Sequence, residues 1–481
     1  MIELKTATSF INGNWVTPVE SEGIEVRSPY LNELIGHQYE TNEQGVEEAL
    51  ASAFTHKKEI AKLEPIERSA ILYKAATLME ERQEELAKLI SSEVGKALKN
   101  TRDEVGRSIE TLIQSAEEAK RQFGETIPGG ASSRGKGSTA ITFRVPVGVI
   151  AAITPFNAPL NLICHKIGPS FAAGNVTVLK PAPQAPLIAA ALVELLLEAG
   201  MPAQAIQMVL GGREIGEKIV KDSRTNLVSF TGGVPAGQQI SKISGMKKVL
   251  LELGGNAGTI VHEDADIERA ATLATKTAFS NSGQSCISVQ RVYVHESIIA
   301  TFSEKMKEKT AALYVGDPRD ERTDIGCVVA KDTAERITSW IEEAVSDGAE
   351  VIHGGSANGA QVQPTILMNP KKESKVVCQE VFGPVVSLIP YRDLDWAIDE
   401  VNDSEFGLQA GLFTKSLTVV KKVTQALDMG GIIINGTSNF RLDHWPYGGV
   451  KHSGIGREGP RFAVEEMSET KMIVLQDFLT L

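Results

Sequence analysis

Cysteine is scarce in this chain. Four occur in 481 residues, Cys164, Cys286, Cys327 and Cys378, and no two form a C-x-x-C pair. That spacing excludes a disulfide scaffold and a zinc knuckle, so no metal site is expected and a reducing, cytoplasmic setting is. Long apolar runs are lacking too. A stretch such as Ala189 to Leu197 is interrupted by Glu194 and falls short of the roughly 20 residues a membrane span needs. The opening text MIELKTATSFINGNWV has no apolar core with a small-residue cleavage site, so neither a secretion signal nor a membrane partner is expected. Positive charge is in deficit, with 49 Lys plus Arg against 61 Asp plus Glu and a net charge of −12. Such a surface repels phosphate backbones, which excludes general nucleic-acid binding.

What is present is globular. Hydrophobic residues make up 42% and charged residues 23%, with 43 Gly and 20 Pro, and this length suits about three domains or two large ones. Residues 43 to 122 read as charged surface helices. Between Phe123 and Gly148 the text becomes rich in Gly, Ser and Thr and ends in the alternating ITFRV. It reads either as an arm leaving the body or as a flexible linker. From Val149 on, apolar runs alternate with helical stretches: Val149 to Thr154, Val176 to Lys180, Ile206 to Leu210 and Leu227 to Phe230. Apolar strands without polar alternation, separated by helices, indicate a parallel sheet covered on both faces. The fold class is therefore α/β, a doubly wound nucleotide-binding domain. A second α/β series is read from Val249 (VLLEL) through helical Asp266 to Asn281, the strand Arg291 to His295 and Val385 to Tyr391.

The one literal G-x-G-x-x-G, Gly454, Gly456 and Gly459 in GIGREG, follows turn-like text and has no room after it for a βαβ unit, so it is rejected as a dinucleotide fingerprint. LVSFTGGVPAG is better placed. Its strand runs into Thr231, Gly232 and Gly233 ahead of a helix, where free N–H groups favour an anion. An ordinary strand-to-helix turn is the alternative. Lys180 ends another strand, at the edge where ligands bind in open α/β sheets.

Three residues could carry chemistry. Cys286, in the loop NSGQSCIS, is a candidate nucleophile, with a buried inert thiol as the alternative. Glu252 closes VLLEL before Gly254 and Gly255, where burial would raise its pKa toward that of a general base; a turn cap is the alternative. Asn157 sits in TPFNAP, where its amide could donate to an oxyanion or simply make a turn. Together they are the inventory for oxidising an aldehyde through a thioester.

The chain resembles the aldehyde dehydrogenase superfamily in eight ordered segments. These are FINGNW, TPFNAPL (Thr154 to Leu160), LKP (Leu179 to Pro181), SFTGG (Ser229 to Gly233), LELGGNA (Leu251 to Ala257), GQSC (Gly283 to Cys286), EVFGP (Glu380 to Pro384) and PYGGVKHSGIGREG (Pro446 to Gly459). The resemblance implies that Cys286 is the nucleophile, Glu252 the base that activates the deacylating water, and Asn157 an oxyanion donor beside the Cys286 backbone N–H. Its implied cofactor is NAD or NADP. Lys180 would hold the adenosine ribose, Thr231, Gly232 and Gly233 would lie near the pyrophosphate, and Glu380 would bind the nicotinamide ribose with Phe382 nearby. Thr154, Phe156, Pro183, Leu253 and Gly254 would complete that site. The glycine-rich C-terminal motif would belong to a loop near the substrate domain, and the arm would pair with the C-terminal tail across subunits of a homodimer or homotetramer.

On the same basis, residues 1–122 and 143–250 are assigned to the nucleotide domain, 251–445 to the catalytic domain, and 123–142 with 460–481 to the oligomerisation arm. The chain departs from the family at Pro183, where NAD-preferring members carry a Glu that repels a 2′-phosphate. Dual cofactor use or a mild preference is expected. Arg107 and Arg441 would lie near the substrate tunnel, which suggests a short anionic or hydroxylated aldehyde. The text looks most like the branch of lactaldehyde, non-phosphorylating glyceraldehyde-3-phosphate and phosphonoacetaldehyde dehydrogenases. Structural ion pairs with Glu104, Glu110 or Asp443 are the alternative for the arginines. For the protein as a whole the alternatives are oxidation of neutral aliphatic or aromatic aldehydes, cofactor-free ester hydrolysis, or a non-catalytic nucleotide-binding protein of this fold.

Overall fold

The structure is a computed structural model that describes residues 5–17 and 22–476. Residues 1–4, 18–21 and 477–481, which fall in the stretches assigned above to the nucleotide domain and the arm, lie outside the described residues.

The apolar runs form two sheets. In the first, Lys248–Glu252, Leu227–Thr231, Val149–Ile153, Val176–Lys180 and Ile206–Met208 lie side by side and parallel. Ile150, Ala151, Val176 and Val178 have no exposed surface, as expected where helices cover both faces. Ile153 pairs with Lys180 and Thr231 with Glu252, so the strand carboxyl ends share one edge. The chain steps to opposite sides of Val149–Ile153, and the crevice at such a switch point is where open α/β sheets bind ligands.

Two expectations about this sheet change. Lys248–Glu252, read as the head of the second series, pairs along its whole length with Leu227–Thr231 and belongs to the first sheet. An apolar run states that a strand is buried but not which sheet takes it. The GIGREG motif was expected in a loop near the substrate domain. Its strand Gly454–Ile455 instead closes the sheet edge, antiparallel to Leu251 and Glu252. Gly454 has φ +152, and a Cβ there would run into the Leu251 carbonyl, so the glycine serves backbone contact beside Glu252.

The second sheet has seven strands. Thr365–Met368, Val385–Tyr391, Val289–His295, Ala257–Val261, Gln409–Phe413 and Gly431–Ile434 run parallel, and Glu350–His353 is an antiparallel edge. Cys286 lies between the helix Ile267–Phe279 and the strand Val289–His295. A third, three-stranded sheet joins Thr126–Pro128, Ser138–Pro146 and Ser468–Gln476. The Gly/Ser-rich segment is thus an arm. Its pairing with the tail runs from Ser468↔Pro146 to Gln476↔Ser138 within one chain, and not across subunits as expected. The helix Pro460–Glu466 packs on the body beside Pro159–Ala172, which brings the tail back to its own arm and starts the arm's share of it at Ser468.

The four helices Glu43–Ile60, Pro65–Glu81, Gln83–Val94 and Leu98–Ala119 do more than coat the surface. Leu98–Ala119 buries Val105, Leu112 and Ala116, one face at helical spacing, against Pro159–Ala172, a helix buried at every position. That contact carries the polar groups of the site.

Candidate active site

Asn157 is held by a buried clamp. Pro159 starts the helix Pro159–Ala172, whose first amides need acceptors. Glu104, reaching across from Leu98–Ala119, accepts from Leu160 N at 2.9 Å and Asn161 N at 3.4 Å. Its other oxygen takes Lys96 Nζ at 2.6 Å, and Lys96 also donates to the Asn157 carbonyl at 3.2 Å. The Asn157 amide then donates to the Gln284 carbonyl at 3.0 Å, two residues before Cys286.

The Cys286 loop is strained. Asn281, Ser282 and Gly283 have φ of 52°, 53° and 70°, a left-handed run that L residues adopt only when the surroundings impose it. Gly283 lies against the Gly383 carbonyl and Gly255 against the Cys286 carbonyl, leaving no room for a Cβ at either. The half-buried Cys286 Sγ is 3.1 Å from the Tyr447 hydroxyl. Burial pushes this thiol up to about 11, while the Tyr447 hydrogen bond acts in the opposite direction. Cys164 and Cys327 are buried, and Cys378 is exposed.

Glu252 ends its strand almost fully buried, with Oε2 lacking a hydrogen-bond partner. Burial first, and the neighbouring Glu458 second, raise its carboxyl well above the usual range, against Arg441, Lys166 and Arg457. A carboxyl shifted in this direction holds its proton more tightly than a solvated one, which makes its ionised form a stronger base.

Behind it lies a charged network. Burial disfavours ionised Glu458, yet Lys166 at 3.3 Å and Arg441 at 3.0 Å keep its carboxyl down at about 2. Asp443 accepts two bonds from Arg107, at 2.9 and 2.8 Å, one from His165 at 2.8 Å and one from Asn161 at 3.1 Å. Burial opposes its charge, but His165 and Arg107 hold it well below the carboxylate range. The Arg441 guanidinium lies 3.8 Å from the centre of the Tyr447 ring. Both arginines are therefore engaged in ion pairs, Arg107 with Asp443 and Arg441 chiefly with Glu458. Glu104 pairs with Lys96. Arg107 keeps 34% of its side chain exposed against 8% for Arg441, so Arg107 is the more accessible to an anion.

The residues assigned to the cofactor line the sheet crevice and the adjoining loops. Buried Lys180 has its ammonium pushed down to about 8 by desolvation. The hydroxyls of Thr154 and Thr231 are buried without hydrogen-bond partners. Gly233 caps the ten-residue helix Val234–Ile243, and a Cβ at Gly232 would strike the Phe230 ring. Glu380 accepts from Gly255 N at 3.0 Å, presses on Gly254, and is raised by burial to about 7. Phe382, at φ 50°, meets Phe156 edge-on at 5.9 Å. Leu253 is buried, and its N–H donates to the Ser453 carbonyl at 2.9 Å. Pro183 is exposed and uncharged, with its carbonyl accepting from Gln38 at 3.0 Å. Orphaned hydroxyls, a buried ammonium and a helix N-terminus on one crevice fit the ribose and phosphate groups of a dinucleotide.

Sequence reasoning missed Tyr447, His165, Lys166 and Glu458, and offered Asp443 only as one of three acids that an arginine could pair with. A signal existed for some of them. Asn161 and His165 stand four apart on a largely apolar helix, so they share one face, and both reach Asp443.

The aldehyde dehydrogenase family profile matches residues 15–473. A 3-sulfolactaldehyde dehydrogenase of Priestia aryabhattai is 47% identical over 476 residues, 99% of this chain and 99% of that one. A lactaldehyde dehydrogenase of Methanococcus vannielii is 40% identical over 473 residues, 97% of this chain and 100% of that one. Among solved structures, the NADP-dependent glyceraldehyde-3-phosphate dehydrogenase of Bacillus halodurans C-125, complexed with NADP, aligns with a TM-score of 0.96 at 35% identity, over 98% of this chain and 99% of that one.

Proposed function

The chain belongs to the aldehyde dehydrogenase family, and from that premise we propose that it converts a short anionic or hydroxylated aldehyde to its acid through a Cys286 thioester. The observation that carries the mechanism is the convergence of three separate segments. Asn157 from the clamped turn bonds the strained loop two residues before Cys286, and buried Glu252 at its strand end is near enough to act on the Cys286 sulfur. Cys286 releases its thiol proton to water and adds as the thiolate to the aldehyde carbon. The Asn157 amide and the Cys286 N–H face the oxygen that gains charge. NAD or NADP, when bound, would supply the two-electron acceptor for the hydride that leaves the adduct carbon, and Lys180, Thr154, Thr231, Gly232, Gly233 and Glu380 would hold it. The resulting thioester is cleaved by water that gives its proton to Glu252 in its ionised form, with the Cys286 thiolate as leaving group.

An anionic substrate is supported by the charge balance of the inner network. Arg107, Arg441 and Lys166 face two carboxylates, Asp443 and Glu458, while burial disfavours charge on the nearby Glu252. This local excess opposes the overall net charge of −12. The named relatives act on a sulfonated hydroxyaldehyde and a hydroxyaldehyde, and the structural neighbour on a phosphorylated one. A panel of aldehydes read at 340 nm with both cofactors tests this. Arg107→Ala is expected to raise KM about 10- to 100-fold for sulfonated or phosphorylated aldehydes, the worth of a charge-assisted hydrogen bond. KM for an uncharged aldehyde should move little. An equal change for both kinds of substrate would remove the proposal.

In the same panel, kcat/KM for NAD and NADP should differ by less than a thousandfold. A larger ratio needs about 4 kcal/mol of discrimination, and at Pro183 there is neither a carboxylate to repel a 2′-phosphate nor a cation to bind it. A homodimer or homotetramer is supported by the arm, where Met472, Ile473 and Val474 are 58%, 46% and 47% exposed. Sedimentation equilibrium that gives the monomer mass alone would overturn it. The absence of a helix long and apolar enough to span a membrane among the described residues and the unpaired cysteines support work in the cytoplasm, where fractionation should recover the protein.

A further inference from the structure

Tyr447 has no role in the mechanism above, yet its hydroxyl is the hydrogen-bond partner of the Cys286 sulfur among the described residues, at 3.1 Å. Three contacts fix it. Its backbone N–H donates to the Glu458 carbonyl at 3.1 Å, and its carbonyl accepts from Glu458 N at 2.6 Å. The Arg441 guanidinium covers the ring at 3.8 Å, an attraction strengthened by exclusion of water. The side chain is buried, with 4% of the residue exposed, and no second partner competes for the phenol O–H among the described residues.

We propose that Tyr447 is a positioning residue whose phenol O–H donates to Cys286 Sγ and sets how readily that thiol ionises. The inference deepens the proposed mechanism and rests on Cys286 as its nucleophile. While sulfur carries its proton, either atom can be the donor. Once the proton has left, only the phenol can donate, and the bond becomes charge-assisted and stronger. It therefore favours the thiolate, the form that attacks carbonyl carbon. The other groups that act on the sulfur are Glu380 and Glu252, which oppose its charge, and Arg441, which favours it. Arg441 also holds the ring, so one buried cation both attracts the thiolate and aims the phenol that stabilises it.

The test uses the full-length protein without substrate. Iodoacetamide reacts with the thiolate, and peptide mass spectrometry follows Cys286 across pH with exposed Cys378 as internal reference. Tyr447→Phe keeps the ring and removes the donor. Its Cys286 alkylation midpoint should rise by about one to two pH units, the worth of a hydrogen bond to a charged atom, with Cys378 unchanged. At a fixed pH below the midpoint, alkylation of Cys286 should be about 10- to 100-fold slower. Substituting 2,3-difluorotyrosine at position 447, a stronger donor of nearly the same shape, should move the midpoint down. A midpoint unmoved in both variants, or moved in the same direction by both, overturns the proposal. Because the readout involves no turnover, it separates from failure of the thioester mechanism, which is read from the activity of Cys286→Ala.

Discussion

Replacing Cys286 by alanine is expected to abolish formation of reduced cofactor, with kcat falling at least about 10⁴-fold, a barrier increase of ~5.5 kcal/mol. The size follows from order. Without the sulfur no tetrahedral adduct forms, so neither the burst nor the steady state survives. Residues assigned to the cofactor stand on other segments, Lys180 at a strand end and Glu380 against Gly255. Affinity for NADP should therefore change less than threefold, measurable by fluorescence titration. Stopped-flow absorbance at 340 nm is the decisive readout. Full steady-state activity in Cys286→Ala would sink the covalent mechanism, whereas loss of both activity and cofactor binding would indicate a folding defect. The Cys164→Ala change is the control, since that thiol is buried in the helix Pro159–Ala172.

The second large effect separates the two halves of the reaction. Glu252→Gln should retain a burst of about one reduced cofactor per active site and lose steady-state turnover by about 10²- to 10⁴-fold, the contribution of a general base. The amide keeps the shape of the carboxyl, whose charge burial and Glu458 disfavour, so the fold and the first half-reaction keep their groups. The pH dependence has a definite sign. A carboxyl with a raised pKa stays protonated through mildly acidic pH and becomes a base only as pH rises through that value. The deacylation rate of the wild type should therefore climb with pH on a limb above the ordinary carboxylate range of 4.5. That limb should be absent in Glu252→Gln. Rapid-quench detection of the acyl-enzyme reports it directly, and a variant with neither burst nor acyl-enzyme would move Glu252 into the acylation step.

Legibility varied with the kind of signal. The strands Val176–Lys180 and Val385–Tyr391 were readable to the residue, because fully apolar runs bounded by Gly, Pro or charge have few other fates. Cys286, Glu252 and Asn157 were nameable because each ends or follows such a run in a loop. The polar shell was not. Asp443 and Glu458 look like surface acids, and His165 and Lys166 sit in a helix apolar enough to pass for inert core. Their pairing spans 278 residues in one case and 292 in the other, and local pattern holds no information about contacts at that separation. The GIGREG motif shows the same limit. Its text shows that it lacks room for a βαβ unit, but only the antiparallel pairing with Leu251 and Glu252 reveals that Gly454 lets two backbones meet.

The scarcity of cysteine and of long apolar runs, the alternation of buried strands with helices and the ordered motifs were sufficient to fix an α/β aldehyde dehydrogenase with one thiol in a reactive loop. These features are local or compositional, and the chain carries them whether folded or not. Tertiary structure alone decided how readily each acid ionises, since burial raises Glu252 while the cations beside Glu458 lower it. It also decided that the arm pairs with its own tail and that Arg107 and Arg441 are already partnered. The placement of a tyrosine hydroxyl on the Cys286 sulfur came from the fold as well. Each of these depends on groups hundreds of residues apart being brought into a water-poor interior, where a single charge or hydrogen bond outweighs what the same residues would do in solvent.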